Sequence, residues 1–295
     1  MTIDQKPISL PAPAKINLYL HVTGLRQDGY HELDSLVSFA GIHDTLHLVP
    51  ADNLSLVIEG PFGQDLPSSS NNLVLKAAIK LRKETGVKNG AHMTLEKNLP
   101  VASGIGGGSA DCAAALKGLA KLWNINANTF DLAQLSLHLG SDVPVCLFGQ
   151  TSFMGGKGEI INIAPKLPPI WLVLVNPGVS LSTPAVFKAR KKVRKNNWSQ
   201  PKRFSDSPTT ASELACLLNN RSNDLTEAAI GLQPVIGDTL KELQHTDGVL
   251  LTRMSGSGAT CFGLFNNLID ANRAAATISL NHPRWWVCPT PIAEM

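Results

Sequence analysis

The sequence predicts an α+β fold in two domains, with strands and helices segregated along the chain. Three observations carry that prediction. Strand-like runs crowd residues 9–58, and in the first of them Ile16, Leu18 and Leu20 alternate with Asn17, Tyr19 and His21, the period of two that a strand requires. A glycine loop then feeds a helix: Gly104, Gly106, Gly107 and Gly108 precede Cys112, Leu116, Leu119 and Trp123, spaced four, three and four. Composition shifts near Ile163, where Pro165, Pro168 and Pro169 mark a hinge. The expected domains are therefore 1–163 and 164–295.

Taken in order, Ser9 to Val22 starts with prolines and becomes the first strand. Gly24 to Gly29 is a turn, and Leu33–Ile42, Asp44–Val49 and Leu54–Ile58 are further strands. Pro61 to Asn72 is a polar loop. Asn72 caps a helix marked by Leu73, Ala77 and Leu81, which ends near Gly86. A strand over Met93–Glu96 leads into the glycine loop. The next helix runs from about Thr129 to Leu139, with Leu132, Leu135 and Leu139 on one face and Gly140 closing it. Val145 to Phe148 is a short apolar run before Gly149, Gly155, Gly156 and Gly158. Trp171–Val175 reads as a buried strand. Lys188 to Arg203 is strongly basic and reads as a solvated insertion. Thr210 and Glu213 form a capping box that opens a helix through Leu218. Pro234 starts another through Leu243. Val249–Met254 and Cys261–Phe265 flank a glycine hairpin at Ser255–Ala259. A helix over Asp270–Leu280 and a strand over Trp286–Cys288 close the chain.

Composition narrows the function classes. In 295 residues, 43% hydrophobic and 17% charged content is that of a globular protein rather than a disordered one. A net charge of +3 is too small to argue for nucleic acid. Met1 to Gln5 is polar and prolines follow, so no secretory leader is expected. No run of eighteen apolar residues predicts a membrane span. The five cysteines, Cys112, Cys146, Cys216, Cys261 and Cys288, are odd in number and scattered, and read as free core thiols of a reducing compartment.

The chemistry centres on Leu99 to Trp123. A helix N-terminus offers unpaired N–H groups and the positive end of a dipole, and glycines let a polyanion come close. Phosphate is the natural guest; a tight structural turn is the alternative. No lysine follows the glycines as a P-loop requires, and Ser109 stands where the dinucleotide fingerprint wants glycine. Lys15 at a strand start is a solvated lysine on spacing alone. Tyr30 beside His31 is either strand filling or a pair suited to a flat heteroaromatic ring. Asp142 follows a helix C-terminus, where a carboxylate gains nothing from the dipole. It reads as a structural turn before Pro144 or as a functional acid. Lys97 reads either as a nucleotide contact or as a surface lysine.

The loop Pro100-Val101-Ala102-Ser103-Gly104-Ile105-Gly106-Gly107-Gly108-Ser109-Ala110 resembles the signature of the small-molecule kinases named after galactokinase, homoserine kinase, mevalonate kinase and phosphomevalonate kinase (GHMP). Two further blocks match in family order, Pro13 to Leu18 and Ser255 to Ala259, and the resemblance covers nearly the whole chain. It implies an N-terminal ribosomal-protein-S5-like nucleotide-binding domain and a C-terminal ferredoxin-like α/β sandwich, using ATP and Mg²⁺. By resemblance, residues 100–110 hold ATP, with Asn72 near its adenine and ribose and Lys97 approaching the nucleotide. Lys15 and Asn17 face the acceptor, together with Ser257 and Gly258. Asp142, within Gly140-x-Asp142-x-Pro144, is the catalytic aspartate that takes the hydroxyl proton or positions the nucleophile, oriented by Lys15. Ser109 and water hold the metal, because no equivalent of the mevalonate-type glutamate can be placed.

Gly29-Tyr30-His31 resembles a block of the branch whose small-molecule substrate carries a cytidine diphosphate group. Tyr30 and His31 would then grip cytosine. Phe187, beyond Pro177-Gly178 and Thr183-Pro184, is either a second face of that sandwich or a core phenylalanine. The competing readings are another kinase of the superfamily, against which Tyr30 and His31 argue, and a regulatory or RNA-binding protein suggested by the basic stretch. Intact Lys15, Asp142 and glycine loop argue against the second. The expected setting is cytoplasmic, with no membrane or nucleic-acid partner, as a monomer or weak homodimer.

Overall fold

The computed structural model describes residues 7–64, 66, 68, 71–126, 130–194 and 197–293. In chain order come β1 (Ile8–Leu25), β2 (His31–Ala51), β3 (Leu54–Glu59), α1 (Leu73–Thr85), β4 (Gly90–Glu96) and α2 (Gly107–Leu122). Next are α3 (Leu132–Ser136), α4 (Val143–Phe148), β5 (Ser152–Gly156), β6 (Ile160–Ile163), β7 (Trp171–Asn176) and α5 (Thr183–Arg194). Then follow α6 (Ala211–Asn219), α7 (Thr226–Leu232), α8 (Val235–Gln244), β8 (Val249–Met254), β9 (Cys261–Phe265), α9 (Leu268–Asn281) and β10 (Trp286–Pro291). The elements form two compact units, Met1–Ala14 with Ile42–Val101 and Gly107–Gly149, and Lys15–Gly41 with Ala102–Gly106 and Gln150–Met295. No single cut along the chain separates them.

In the first unit β4 is the central strand. It runs antiparallel to the second half of β2, with Thr45 opposite Glu96 and Ala51 opposite Gly90. It runs parallel to β3, with Leu54 opposite Ala91. Leu46, Leu48, Met93 and Leu95 are buried, as are Val74, Ala77 and Leu81 of α1 and Leu116 and Leu119 of α2. Small residues on α2, Ala110 and Ala113 to Ala115, are buried too and leave room for close packing against α1. Asn72 caps α1 as expected, its Oδ1 accepting from Val74 N at 2.9 Å, and Gly86 ends it with φ +71°.

Two helices here differ from expectation. The helix sought over 129–139 is reduced to α3, with Thr129 outside the described residues. Asp131 caps its start, and the chain leaves through tight bonds from His138 N to Leu135 O and Leu139 N to Ser136 O. The apolar run after Asp142 is a helix, α4, with Pro144 in its first turn and Gly149 (φ +76°) at its end.

The second unit holds the first half of β2, which pairs antiparallel with β5 from Leu33–Gly156 to Val37–Ser152, and β5 pairs in turn with β6. A separate four-stranded antiparallel sheet has the order β10-β7-β9-β8. Its strands, numbered one to four along the chain, therefore stand 4-1-3-2, with helices after the first and third: a ferredoxin-like β-α-β-β-α-β arrangement. α9 packs on β7 and β10, and α8 on β8 and β9. Between them lies a core of Val173, Val175, Ile236, Leu243, Met254, Phe265, Ala274 and Ile278.

The basic stretch corrects the reading of a solvated insertion. α5 occupies its first half, and Arg190 is completely buried. Arg190 Nη2 donates to Asn197 O at 3.1 Å and stands 3.8 Å from Asp224 Oδ2. Lys202 N and Arg203 Nε both donate to the buried Asp34, each at 2.9 Å. Lys188 and Lys191 are exposed; the side chains of Lys192, Arg194 and Lys195 lie outside the described residues. α7 was likewise not foreseen. The cysteines are free, but Cys216 is exposed and Cys288 half-buried, so Cys112, Cys146 and Cys261 are the core thiols.

Candidate active site

Parts of the three sequence blocks, residues 15–18, 102–106 and 255–259, meet in the second unit. Lys15, 2% exposed at the point where β1 enters this unit, donates its backbone N–H to Ile105 O at 2.8 Å. Asn17 N donates to Ser255 Oγ at 3.1 Å, and Ser255 Oγ donates to Gly104 O at 3.1 Å. Thr260 N reaches Ser103 O at 3.0 Å. The closeness depends on glycine. Gly104 has φ +76°, and a Cβ there would stand 2.5 Å from Ser255 O and 2.6 Å from Gly258 O. Gly106 has φ +64°, and its Cβ would press the Lys15 side chain at 3.1 Å. Both reasons, handedness and space, exclude other residues. Ala102 shares the left-handed region at φ +51°. That costs a residue with Cβ roughly 1–2 kcal/mol, strain held in the loop by its surroundings.

On the acceptor side, Asn17 is fully buried, and its Nδ2 donates to Ser35 Oγ at 2.8 Å. Its Oδ1 has no hydrogen-bond partner among the described residues. Ser257 pairs with Thr183 through their hydroxyls at 2.8 Å, beside Gly258 at φ +84°. Asn223, outside the candidate set, braces the hairpin: Nδ2 donates to Met254 O and Gly256 O, both at 2.8 Å.

The first unit carries the other half of the candidate residues. Pro100 is buried and Val101 exposed. Gly107, Gly108, Ser109 and Ala110 form the opening turn of α2, so two of the four glycines are helical rather than loop. A sixteen-residue helix presents its free N–H groups here. Gly108 is exposed, and a Cβ on it would come 3.7 Å from Leu73 Cδ1, next to the Asn72 cap; the starts of α1 and α2 are neighbours.

Lys97 is no surface lysine. At 2% exposure it forms ion pairs with Asp44 Oδ2 and, at 2.9 Å, with Asp111 Oδ2. Burial alone would lower its pKa, yet Asp111 and Asp44 hold it above the ordinary value. Burial, with Asp44 beside it and against the pull of Lys97, pushes Asp111 up to about 7. A Cβ on Gly107 would stand 3.0 Å from Lys97 Nζ, so this cluster lies directly beneath the first helical residue. Neither carboxylate was singled out in the sequence. The available signal was Asp111 itself, a charge set on the buried face of an Ala-rich helix.

Asp142 also differs from expectation. It immediately precedes α4, so it stands at a helix start, where the dipole favours negative charge instead of withholding help. It makes no side-chain cap bond.

Tyr30 and His31 part company. Tyr30 is 52% exposed, with Lys157 Nζ 4.9 Å from its ring centre. The His31 ring stacks on Phe187, with centroids 4.7 Å apart at 25°. Phe187 is half-buried and packs on the hydrophobic core of this unit as well as on His31. Trp198 meets the His31 ring edge-on at 6.2 Å. Burial, then Lys191 and Arg190, lower the His31 pKa, so the imidazole is neutral at pH 7. Its Nε2 is buried without a hydrogen-bond partner among the described residues.

Known proteins resemble this chain in sequence and in fold. The GHMP kinases N terminal domain matches residues 72–150, and the GHMP kinases C terminal domain residues 209–283. The chain is 52% identical to the 4-diphosphocytidyl-2-C-methyl-D-erythritol kinase of Paramagnetospirillum magneticum, over 96% of this chain and 98% of that one. It is equally similar, at 52% over 96% and 98%, to the protein of that name from Cereibacter sphaeroides. Among solved structures, a 4-(cytidine 5′-diphospho)-2C-methyl-D-erythritol kinase superposes with a TM-score of 0.76 and 32% identity, covering 97% of this chain and all of that one.

Proposed function

The chain belongs to the 4-diphosphocytidyl-2-C-methyl-D-erythritol kinases of the GHMP superfamily, and from that premise we propose that it transfers the γ-phosphoryl group of ATP to the 2-hydroxyl of 4-diphosphocytidyl-2-C-methyl-D-erythritol. The observation that carries the reading is the convergence of Lys15, Gly104 to Gly106 and Ser255 to Gly258, tied by the bonds from Lys15 N to Ile105 O and from Ser255 Oγ to Gly104 O.

Phosphoryl transfer requires alignment and charge neutralisation more than covalent help. The loop at 100–106 and the first turn of α2 supply backbone N–H groups to the triphosphate. Asn72 flanks that helix start and suits the nucleoside end. Asp142 takes the hydroxyl proton or orients the nucleophile, and Lys15 offsets charge that builds on the transferred group. Asn17 offers its unpartnered Oδ1 to the acceptor, near Ser257 and Gly258. His31 and Tyr30 serve the cytosine end, His31 by the free Nε2 of a neutral ring.

Magnesium accompanies ATP. Among the described residues no group of three or more His, Cys, Asp or Glu side chains could hold a metal. Mg²⁺ keeps water and phosphate ligands and needs few from protein. Ser109 is the residue we assign to it, and the ion would neutralise phosphate charge. No described helix is long and apolar enough to cross a membrane, and polar phosphorylated substrates fit a cytoplasmic enzyme.

An ADP-release assay with a panel of acceptors tests the proposal. Turnover is expected with the diphosphocytidyl compound and at least about a hundredfold weaker with free methylerythritol phosphate, homoserine or mevalonate, since a buried polar site discriminates by the partners it leaves unmet. Equal efficiency on the first two would overturn it.

A further inference from the structure

Trp198 belongs to the basic stretch that the sequence sets apart from the catalytic blocks, yet the fold carries it to the candidate base site. The His31 ring has Phe187 against one face and the Trp198 ring against its side, inclined at 62°. An imidazole confined in this way cannot rotate freely, and its buried Nε2 is left without a partner among the described residues. A desolvated ring nitrogen is costly unless something meets it.

Trp198 is itself held in place. The buried Arg190 lies over its ring, with Cζ 5.2 Å from the centroid, and Arg190 Nη2 bonds the neighbouring Asn197 O at 3.1 Å. On the other side Ser199 N donates to Val22 O at 3.0 Å, and Ser199 Oγ to Asp224 Oδ2 at 2.6 Å. Three successive residues are thereby fastened to β1, α5 and the turn at 223–225. Trp198 also packs, half-buried, on the hydrophobic core of this unit, so its ring position beside His31 is fixed.

We propose that Trp198 is a specificity-determining residue: it is the third aromatic wall of the pyrimidine site and fixes the His31 ring so that Nε2 faces the polar edge of the acceptor's base. This rests on the reading of His31 as a base contact. Phe187 stacks on the ring and Trp198 closes its side, so together they limit its turning about the Cβ–Cγ bond. The acceptor's nucleoside end depends on Trp198, and ATP does not.

The test uses the full-length protein with Trp198→Ala, Trp198→Leu and Trp198→Phe, with His31→Ala as reference. KM for acceptor and for ATP, kcat, and calorimetric affinity for cytidine 5′-diphosphate are measured. The expected result for Trp198→Ala is a rise of roughly tenfold in acceptor KM and the same loss in cytidine diphosphate affinity, as deletion of one aromatic partner implies. ATP KM and saturated kcat stay near wild type. Trp198→Phe restores most of the affinity, whereas Trp198→Leu, which keeps apolar bulk and folding, does not. Full affinity in Trp198→Leu, with His31→Ala still impaired, overturns the role of Trp198. Full affinity in both overturns the base-site reading, and this proposal with it.

Discussion

Lys97 Nζ lies 2.9 Å from Asp111 Oδ2 at the start of α2, and both side chains are closed off from water. Asp44 completes the cluster. Its Oδ2 takes the second ion pair from Lys97, and its Oδ1 accepts from Asn98 N at 2.6 Å and Leu99 N at 2.8 Å. One carboxylate thus fastens the strand end that enters the glycine loop, and the same lysine ties it to the helix that leaves the loop. One cation faces two anions, and burial makes the surplus charge costly.

The surplus sets a pH dependence. Burial first, and Asp44 second, raise Asp111 from 3.8 to about 7. A carboxyl raised on folding favours the folded state at low pH and withdraws that support as pH rises from about 4 through about 7. Asp111→Asn keeps an oxygen for Lys97 and cannot ionise. Its Tm relative to wild type should therefore climb between pH 5 and pH 8. Parallel melting curves over that range would remove Asp111 as the titrating group.

Gly106 and Gly108 separate stability from binding. Gly106→Val places a branched side chain at φ +64° against Lys15, so we expect a loss of roughly 1–3 kcal/mol together with loss of ATP binding. Gly108 lies exposed in the first turn of α2 with no positive φ. Gly108→Ala should keep the fold, or gain up to about 1 kcal/mol from helix propensity, while weakening ATP. Melting curves paired with nucleotide calorimetry read both effects. Wild-type ATP affinity in a folded Gly106→Val protein would refute the phosphate assignment.

How much of this could be read from the chain follows from the range of each signal. The Asn72 cap, the Thr210 cap and strands β8 and β9 rest on neighbouring residues, and each appears where sequence places it, whereas the glycine loop gives up Gly107 and Gly108 to α2. Thr210 accepts from Glu213 N as a capping box requires, although Glu213 reaches back to Thr209 N instead. What depended on distant partners was hidden. Arg190 looks like one cation in a basic run until Asp224, thirty-four positions away, stands beside it. Lys97 looks like an end-of-strand lysine until Asp44 arrives from β2. Asp142 was misjudged for a local reason: a six-residue helix with proline in its first turn leaves too little periodicity to announce itself.

Arg190 and its exposed neighbours divide the basic stretch by burial rather than charge. Arg190→Ala removes a bond to Asn197 O and the cation nearest Asp224, so a loss of about 2–4 kcal/mol is expected in urea denaturation. Asp224 retains Val22 N at 2.8 Å and Ser199 Oγ at 2.6 Å, which keeps the variant folded. Lys188→Ala and Lys191→Ala alter exposed positions and should change stability by no more than about 0.5 kcal/mol, with turnover unchanged. The same turnover is expected on neutralising Lys192, Arg194 and Lys195. Loss of activity at saturating substrates in the lysine variants would make the stretch part of the catalytic machinery.

Asp142 tests the chemistry itself. Asp142→Asn removes one charge from the start of α4, where the dipole favours it, so stability should fall by only about 0.3–1 kcal/mol. The substitution preserves size and one oxygen but removes the charge and nearly all the basicity. Proton transfer to a placed side chain contributes roughly 10²–10⁴-fold, and kcat should fall within about that range. ATP affinity should persist or rise slightly, because a negative charge is lost from a site that receives phosphates. KM for the acceptor should change less than kcat, the pattern of a group whose interaction strengthens in the transition state. Single-turnover kinetics at saturating ATP and acceptor, with calorimetry for ATP, separate these quantities. Near-wild-type turnover would exclude Asp142 from the proton transfer. A large fall in Tm would instead return it to the role of a turn residue ahead of Pro144.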